Sequence, residues 1–345
     1  MAHVCITGGA GFIGSHLADA FLARGDRVTI VDDLSTGSED NVPAGAALHR
    51  LDVRSPEAAE LVERGSGRGG IDLLVHQAAQ MNVRRSVSDP VSDASINVVG
   101  SLNLLEAAAR GGVGRVLFAS SGGAIYGEQD VYPASEGHPT RPVSPYGVAK
   151  LAVEGYLYYY AVEQGMEAVA LRYANVYGER QNPHGEAGVV SIFLETLLAG
   201  ETARINGDGL QTRDYVHVSD VVRANLAAAE AELAAEVSAL EAATSDRAAV
   251  GGHPVDRSVP FRVYNVGTGL ETSVVELYAE IIGALGIDRE PVHGPAKVGE
   301  QRRSSIDAAK IRSDLGLPEP LSLPEGLRRT AAWFRTKHAG AAPPV

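Results

Sequence analysis

Tyr146 and Lys150, in the run Tyr146-Gly147-Val148-Ala149-Lys150, stand four residues apart in a helical pattern over 145–165. A phenol and an ammonium therefore share one helix face. A free tyrosine titrates near ~10 and is a poor base at neutral pH. A neighbouring positive charge favours the phenolate, so the pair predicts a general base for a hydroxyl proton. Two further hydroxyls, Ser120 and Ser121, close the apolar run that precedes the pair. A second constellation, Ile6-Thr7-Gly8-Gly9-Ala10-Gly11-Phe12-Ile13-Gly14, follows an apolar strand pattern and leads into a helical one. Gly8 suits a tight turn, Gly11 a close backbone approach to phosphate, and Gly14 close packing of helix on strand. The helix N-terminus adds unpaired N–H groups and a positive dipole end, which together predict a dinucleotide pyrophosphate cradle.

The next apolar run, Arg27–Val31, ends in Asp32-Asp33. A carboxylate at this distance accepts hydrogen bonds from an adenosine ribose diol. It also repels a 2′-phosphate, which predicts NAD rather than NADP. Asp32 is the first candidate and Asp33 the second, although a short acidic turn is also a common loop cap. Asp52 follows a third short apolar segment and could meet the adenine edge.

These residues need a scaffold. Apolar runs at 3–8, 27–31, 47–51, 71–76 and 115–120 alternate with helical patterns at 12–24, 56–64, 92–111 and 145–165. That alternation predicts an α/β fold, a Rossmann-type doubly wound parallel sheet with helices on both faces. Its chemistry belongs outside the carboxyl ends of the strands, where Ser120 and Ser121 fall. Val169–Tyr173 supplies a sixth strand, and the glycine-rich 65–70 reads as a loop. Residues 178–215 read as a loop-rich substrate cap, 221–243 as a helix, 244–260 as a surface insertion and 339–345 as a disordered tail. Order resumes at Val263–Gly267, and a helix over 272–285 begins at Thr272 or Ser273. The expected division is a cofactor domain over 1–175 and a smaller C-terminal α/β substrate region over 176–338.

Bulk properties narrow the function. The 345 residues carry a formal net charge of −13, which argues against nucleic acid as a partner. The single cysteine, Cys5, excludes an internal disulfide and a cysteine-based zinc site, and no metal is expected. It sits in the first apolar strand and reads as a small buried hydrophobe. No apolar run approaches ~18 residues, so no membrane span is expected. No signal peptide precedes the first strand, so the expected location is cytoplasmic.

Over about residues 3–337 the chain resembles the extended short-chain dehydrogenase/reductases, in particular the NAD-dependent sugar-nucleotide epimerase/dehydratase family. The resemblance rests on Thr7–Gly14, Val31-Asp32-Asp33-Leu34-Ser35-Thr36-Gly37, His76-Gln77-Ala78-Ala79-Gln80, Asn97-Val98-Val99-Gly100, Ser120-Ser121-Gly122-Gly123-Ala124-Ile125-Tyr126-Gly127, Tyr146–Lys150, Arg172-Tyr173-Ala174-Asn175-Val176-Tyr177-Gly178 and Arg213-Asp214-Tyr215-Val216-His217. It implies that Phe12 and Ile13 contact the pyrophosphate through their backbone. Asp32, with Ser35, Thr36 and Gly37, would hold the adenosine ribose, while Asp52 and Val53 flank adenine. Ala78, Ala79 and Gln80 would line the cofactor, with Asn97 behind it. Lys150 would bond the nicotinamide ribose, and Tyr173 and Val176 would approach the nicotinamide end. On the substrate side, Gln80, Ser121 and Tyr146 would meet the sugar and Asn175 the sugar diphosphate. Val189 and Phe193 would receive uracil, Arg213 and Arg302 would anchor the diphosphate, and Ser304 would leave room at the sugar 2-substituent. For each arginine a surface ion pair is the alternative.

The chain departs from the family in one loop. Many members place a Ser or Thr where this chain has Gly122, so Ser121 or Ser120 must replace that hydroxyl. Family dehydratases carry an Asp-Glu pair next, where this chain has Gly123-Ala124, which supplies neither acid nor base for elimination. The resemblance then implies NAD-dependent 4-epimerisation of a UDP-hexose through a transient 4-keto sugar. Candidate substrates are UDP-glucose and UDP-galactose, with N-acetylhexosamine forms admitted. The alternative is a UDP-uronic acid epimerase, with Arg84 or Arg85 as the extra cation. A non-catalytic NAD sensor is a different class, disfavoured because the Tyr/Lys pair is kept. The family also implies a homodimer through helices at 93–110 and 147–164, with the run Tyr156–Tyr160 as its aromatic surface.

Overall fold

The computed structural model describes residues 1–64, 70–183, 188–233, 249–250, 253–254, 259–296 and 301–340. In the first half the predicted alternation takes shape: β1 (His3–Thr7), α1 (Phe12–Ala23), β2 (Arg27–Asp32), β3 (Ala47–Arg50), α2 (Pro56–Glu63) and β4 (Leu73–His76). These are followed by α3 (Val83–Ser88), α4 (Pro90–Ala94), α5 (Gly100–Gly111), β5 (Arg115–Ser121), α6 (Gly122–Ile125), α7 (Pro145–Gln164) and β6 (Glu167–Tyr173). Local chemistry sets the helix ends. The Ser144 side chain accepts the Gly147 N–H, Pro145 takes the first position of α7, and Gly165, at φ 66°, closes it. The predicted helix over 92–111 is instead α4, a π-helical turn over Ser95–Val99, and α5.

The second half contains β7 (Asn175–Tyr177), α8 (Val189–Leu198), β8 (Arg204–Asn206), β9 (Thr212–Arg213), β10 (Tyr215–His217) and α9 (Val218–Glu230). Next come β11 (Ala249–Val250), β12 (His253–Pro254), β13 (Phe261–Val266), β14 (Thr272–Ser273), α10 (Val274–Leu285), β15 (Val292–Gly294), α11 (Ala309–Leu315) and α12 (Leu323–Gly340). The region read as a loop-rich cap thus contains α8, whose apolar residues were masked by the glycine- and proline-rich segments around it. Ser273 caps α10 in a reciprocal pair with Glu276, which settles the start left open between Thr272 and Ser273. The helix read over 221–243 runs Val218–Glu230, and 234–243 lie outside the described residues, as do most of 244–260 and 341–345.

Seven parallel strands form one sheet in the order β13-β6-β5-β4-β1-β2-β3. Strand order reverses at β1, which lies between β4 and β2, and such a switch point opens a crevice at the carboxyl ends. The register aligns Thr7 with both Val31 and His76, and Ser121 with Tyr173, so the glycine turn and the serine-ended strand open on one edge. One core packs α2, α5 and α7 on one face of the sheet, and a second packs α1, α9 and α11 on the other. A third, built from α8, α10 and α12, underlies the cap. Cys5 is fully buried in β1, as expected of a small hydrophobe. Among the described residues no helix is long and apolar enough to cross a membrane, and no group of His, Cys, Asp or Glu could hold a metal ion.

Candidate active site

The glycine turn is built for a close approach. Gly8 has φ 69°, and a Cβ there would lie 2.8 Å from the Ala78 nitrogen. A Cβ on Gly14 would lie 2.1 Å from the Gly8 carbonyl oxygen, so α1 can pack on the turn only with glycine there. Gly11 begins α1 without a side-chain cap, which leaves the N–H groups around Phe12 and Ile13 for an anion. Gly37 closes on the same turn, with its would-be Cβ 2.9 Å from the Ala10 carbonyl. Of the two candidate acids, Asp32 is buried at the end of β2 and accepts N–H bonds from Ala10 (2.9 Å) and Leu34 (2.8 Å). Asp33 is exposed and accepts the N–H of Ser35, with Thr36 following in the same loop. Each Asp32 oxygen keeps acceptor capacity for a diol. A cradle that a Cβ would fill, with a carboxylate at its rim, fits NAD. Asp52 is partly buried beside Val53 and is held well below the usual carboxylate range by Arg54, 2.5 Å away.

The reacting pair sits at the end of β5. Burial pushes the Tyr146 phenol up to about 12, although the nearby Ser121 side chain favours its ionised form. Burial thus outweighs the lowering expected from a neighbouring positive charge. The Lys150 ammonium donates to the Ala119 carbonyl (2.7 Å) and lies 5.7 Å from the Tyr146 ring and 4.7 Å from Phe118. Burial pushes Lys150 itself down to about 7, against the opposing pull of the Asp93 and Glu154 carboxylates. Strand alternation turns the two serines to opposite sides. Ser120 donates to Glu154 (2.5 Å), while Ser121 lies on the side of Tyr146. Glu154 forms a fully buried pair with Arg172 at 2.6 Å, and Arg172 donates onward to the Tyr126 hydroxyl. A Cβ on Gly122 would lie 2.6 Å from Ile306 Cδ1, the physical reason that no Ser or Thr stands there.

Other predicted residues fall in mixed positions. Gln80 is buried with its amide committed: Nε2 donates to Asp93 (2.8 Å) and to the Asn82 carbonyl, and Oε1 accepts the Asn82 N–H. That turns it inward rather than toward a sugar. Asn97 bonds the Gln80 backbone in both directions, and Ala78 and Ala79 flank the glycine turn partly exposed. The Tyr173 phenol bonds Gln77 and Asn225 and belongs to the core beneath α9. Val176 is partly buried, and Asn175 is exposed near Gly123. Phe193 is a correction: it is buried in the third core with its ring on Tyr278, because it points to the apolar face of α8. Val189, at the start of α8, stays partly buried at the edge of that core. Arg213 is half-buried and donates to the Thr212 carbonyl, and Arg302 forms an exposed two-pronged pair with Asp208 (2.9 Å). Ser304 is buried on the strip that pairs with Ala134 through Ile306. Arg84 and Arg85 lie exposed on α3.

Sequence reading missed Asp93 and Glu154. Both carried a signal: Asp93 lies one turn before Asn97, and Glu154 extends the Tyr146–Lys150 face by another four residues.

A parallel sheet with a glycine cradle after β1 at its switch point and a Tyr-Lys pair two strands away, at β5, defines a dinucleotide-dependent enzyme. The chain belongs to the NAD dependent epimerase/dehydratase family, which residues 4–239 match. The UDP-glucose 4-epimerase of Mycolicibacterium smegmatis is 41% identical over 333 residues, 96% of this chain and 98% of that protein. A crystal structure of UDP-glucose 4-epimerase with UDP-glucose from Thermotoga maritima superposes with a TM-score of 0.85 at 41% identity, covering 97% of this chain and 99% of that one. The Thermus thermophilus UDP-glucose 4-epimerase in complex with NAD gives 0.81 at 39% identity, covering 99% and 100%.

Proposed function

We propose that this protein interconverts UDP-hexoses epimeric at C4, with UDP-glucose and UDP-galactose as the principal pair and N-acetylhexosamine forms admitted. The carrying observation is the Tyr146 phenol set near Ser121, with the Lys150 ammonium 5.7 Å from its ring, beside a loop whose residues Gly123 and Ala124 have no acid or base for elimination. The similarity to UDP-glucose 4-epimerases over almost the full chain supports it.

Bound NAD, held by the glycine turn and Asp32, supplies a hydride acceptor that can later return the hydride to C4. Tyr146 takes the proton from the 4-hydroxyl and gives it back. Ser121, on the same side as the phenol, orients that hydroxyl. Lys150 holds positive charge next to the forming phenolate, which the burial of Tyr146 makes necessary. The 4-keto sugar turns about its diphosphate linkage between the two half-reactions. Binding the remote nucleotide end tightly, through Arg213, Asn175 and the start of α8, leaves the sugar free to turn. Arg302 joins that grip only by leaving Asp208. On this reading residues 1–175 hold the cofactor and 176–338 the substrate.

The working form is a homodimer. Val99, Val148, Tyr156, Tyr159 and Val162 are exposed on the π-turn and α7, an apolar face of the sort that a second copy covers. Only part of the tyrosine run contributes, since Tyr160 is buried and Tyr158 stacks on Phe261. A coupled assay tests the function. UDP-galactose is supplied and UDP-glucose formation is read by a UDP-glucose-specific dehydrogenase. Turnover is expected, and its absence with NAD present overturns the assignment.

A further inference from the structure

We propose that Asp93 is a positioning residue of the reaction, a buried carboxylate that ties the Gln80 loop to Asn97 on the short helix packed against the helix of Tyr146 and Lys150. The inference rests on the reading of that pair as the reacting groups. Asp93 is 2% exposed on the short helix α4, which packs against α7. Its Oδ1 accepts from Gln80 Nε2 (2.8 Å) and Asn97 Nδ2 (2.9 Å), and Asn97 in turn accepts the Gln80 N–H (2.8 Å). This network pins the loop whose Ala78 nitrogen faces the glycine turn. The second oxygen, Oδ2, is buried with no hydrogen-bond partner in the protein. The two amides use one oxygen, which leaves the second with its acceptor capacity open.

The role of Asp93 is electrostatic. The titratable groups around the pair are Tyr146, Lys150 and Glu154 on α7, Asp93 on α4 and His76 on β4. His76 is neutral, pushed down to about 3 by burial, and Glu154 is neutralised by Arg172. Arg84 and Arg85 are exposed on α3. Burial raises the Asp93 carboxyl, while Gln80, Lys150 and Asn97 pull it back toward the charged form, and that charge favours the Lys150 ammonium while opposing the Tyr146 phenolate. Burial alone drives Lys150 toward its neutral form, and the Asp93 charge resists that.

The sign is testable. Removing the charge lowers the pKa of both groups. Activity requires Tyr146 able to lose its proton and Lys150 able to keep one, so both limbs of the kcat–pH bell move acidward, by about one pH unit. The chain has four lysines, so 13C-lysine labelling gives four Cε signals, with Lys150 assigned by its loss in Lys150→Arg. Asp93→Asn and Asp93→Ser should lower the Lys150 titration midpoint and shift both limbs, while Asp93→Glu should leave both near wild type. A reduced kcat with unmoved limbs and an unmoved Lys150 midpoint overturns the proposal and leaves Asp93 a packing residue. The two charge-removing variants differ in shape, so misfolding of one leaves the other as the test. The Lys150 midpoint is read without substrate. An enzyme inactive on UDP-hexoses but showing the shift would refute the functional reading and not this one.

Discussion

At the scale of single residues, one proton carrier matters most. Tyr146 is raised to about 12 by burial, so the phenol does nothing as a base until positive charge is brought to it. Tyr146→Phe keeps the ring and its packing but removes the carrier. Its kcat should fall by about 10²–10⁴-fold with the fold intact. Wild-type turnover with the phenylalanine would move the base elsewhere. Ser304 is buried beside the strip that reaches Gly122 through Ile306. Ser304→Tyr should abolish turnover of UDP-N-acetylhexosamines and spare the plain hexoses. Equal loss of both, read by competing substrates in one NMR tube, would remove Ser304 as the gate. The identities of Tyr146, Lys150 and Asp32 were legible because spacing and strand-end position express their roles. The electrostatics were not, because desolvation depends on what folds over a group, and no local pattern records that Lys150 lies under Phe118 and beside Asp93.

At the scale of elements, the strip Ser304–Ile306 and the turn of α6 constrain each other. Ile306 Cδ1 occupies the space that a side chain on Gly122 would need. Gly122→Ser, which would restore the hydroxyl common in relatives, should therefore destabilise by about 1–3 kcal/mol. Ile306→Val removes the obstructing methyl and should recover part of that loss in the double variant. Strictly additive losses in urea unfolding would show that the two do not compete. Strands β1–β6 were legible to within a residue or two because parallel buried strands are continuous apolar runs between helical patterns, whereas the short strands β7–β10 of the cap carry no such run. The helix over 92–111 was read as unbroken because a π-turn changes the hydrogen-bond ladder and not the apolar spacing. Helix α8 is hard to read because glycine- and proline-rich segments surround it, although Val190, Phe193, Leu194 and Leu197 keep the spacing of one apolar helix face. Phe193, assigned to the nucleotide, belongs to that face and packs on Tyr278.

At the scale of the molecule, the sheet's switch point puts the glycine cradle and the end of β5, where Lys150 is anchored, on one edge, and a third core built from α8, α10 and α12 underlies the region proposed to take the substrate. The exposed apolar face of α7 predicts a dimer in sedimentation at micromolar concentration, and Tyr159→Glu should shift it toward monomer. A wild-type monomer under those conditions would contradict the dimer. The central claim, reversible C4 oxidation with the hydride kept on the enzyme, is tested most directly by proton NMR of UDP-glucose with the purified protein in deuterated water and no added cofactor. The account predicts a growing UDP-galactose anomeric signal with no deuterium entering the sugar carbons. Deuterium at C5 would mean elimination chemistry, and an unchanged spectrum even after NAD is supplied would mean that UDP-glucose is not the substrate.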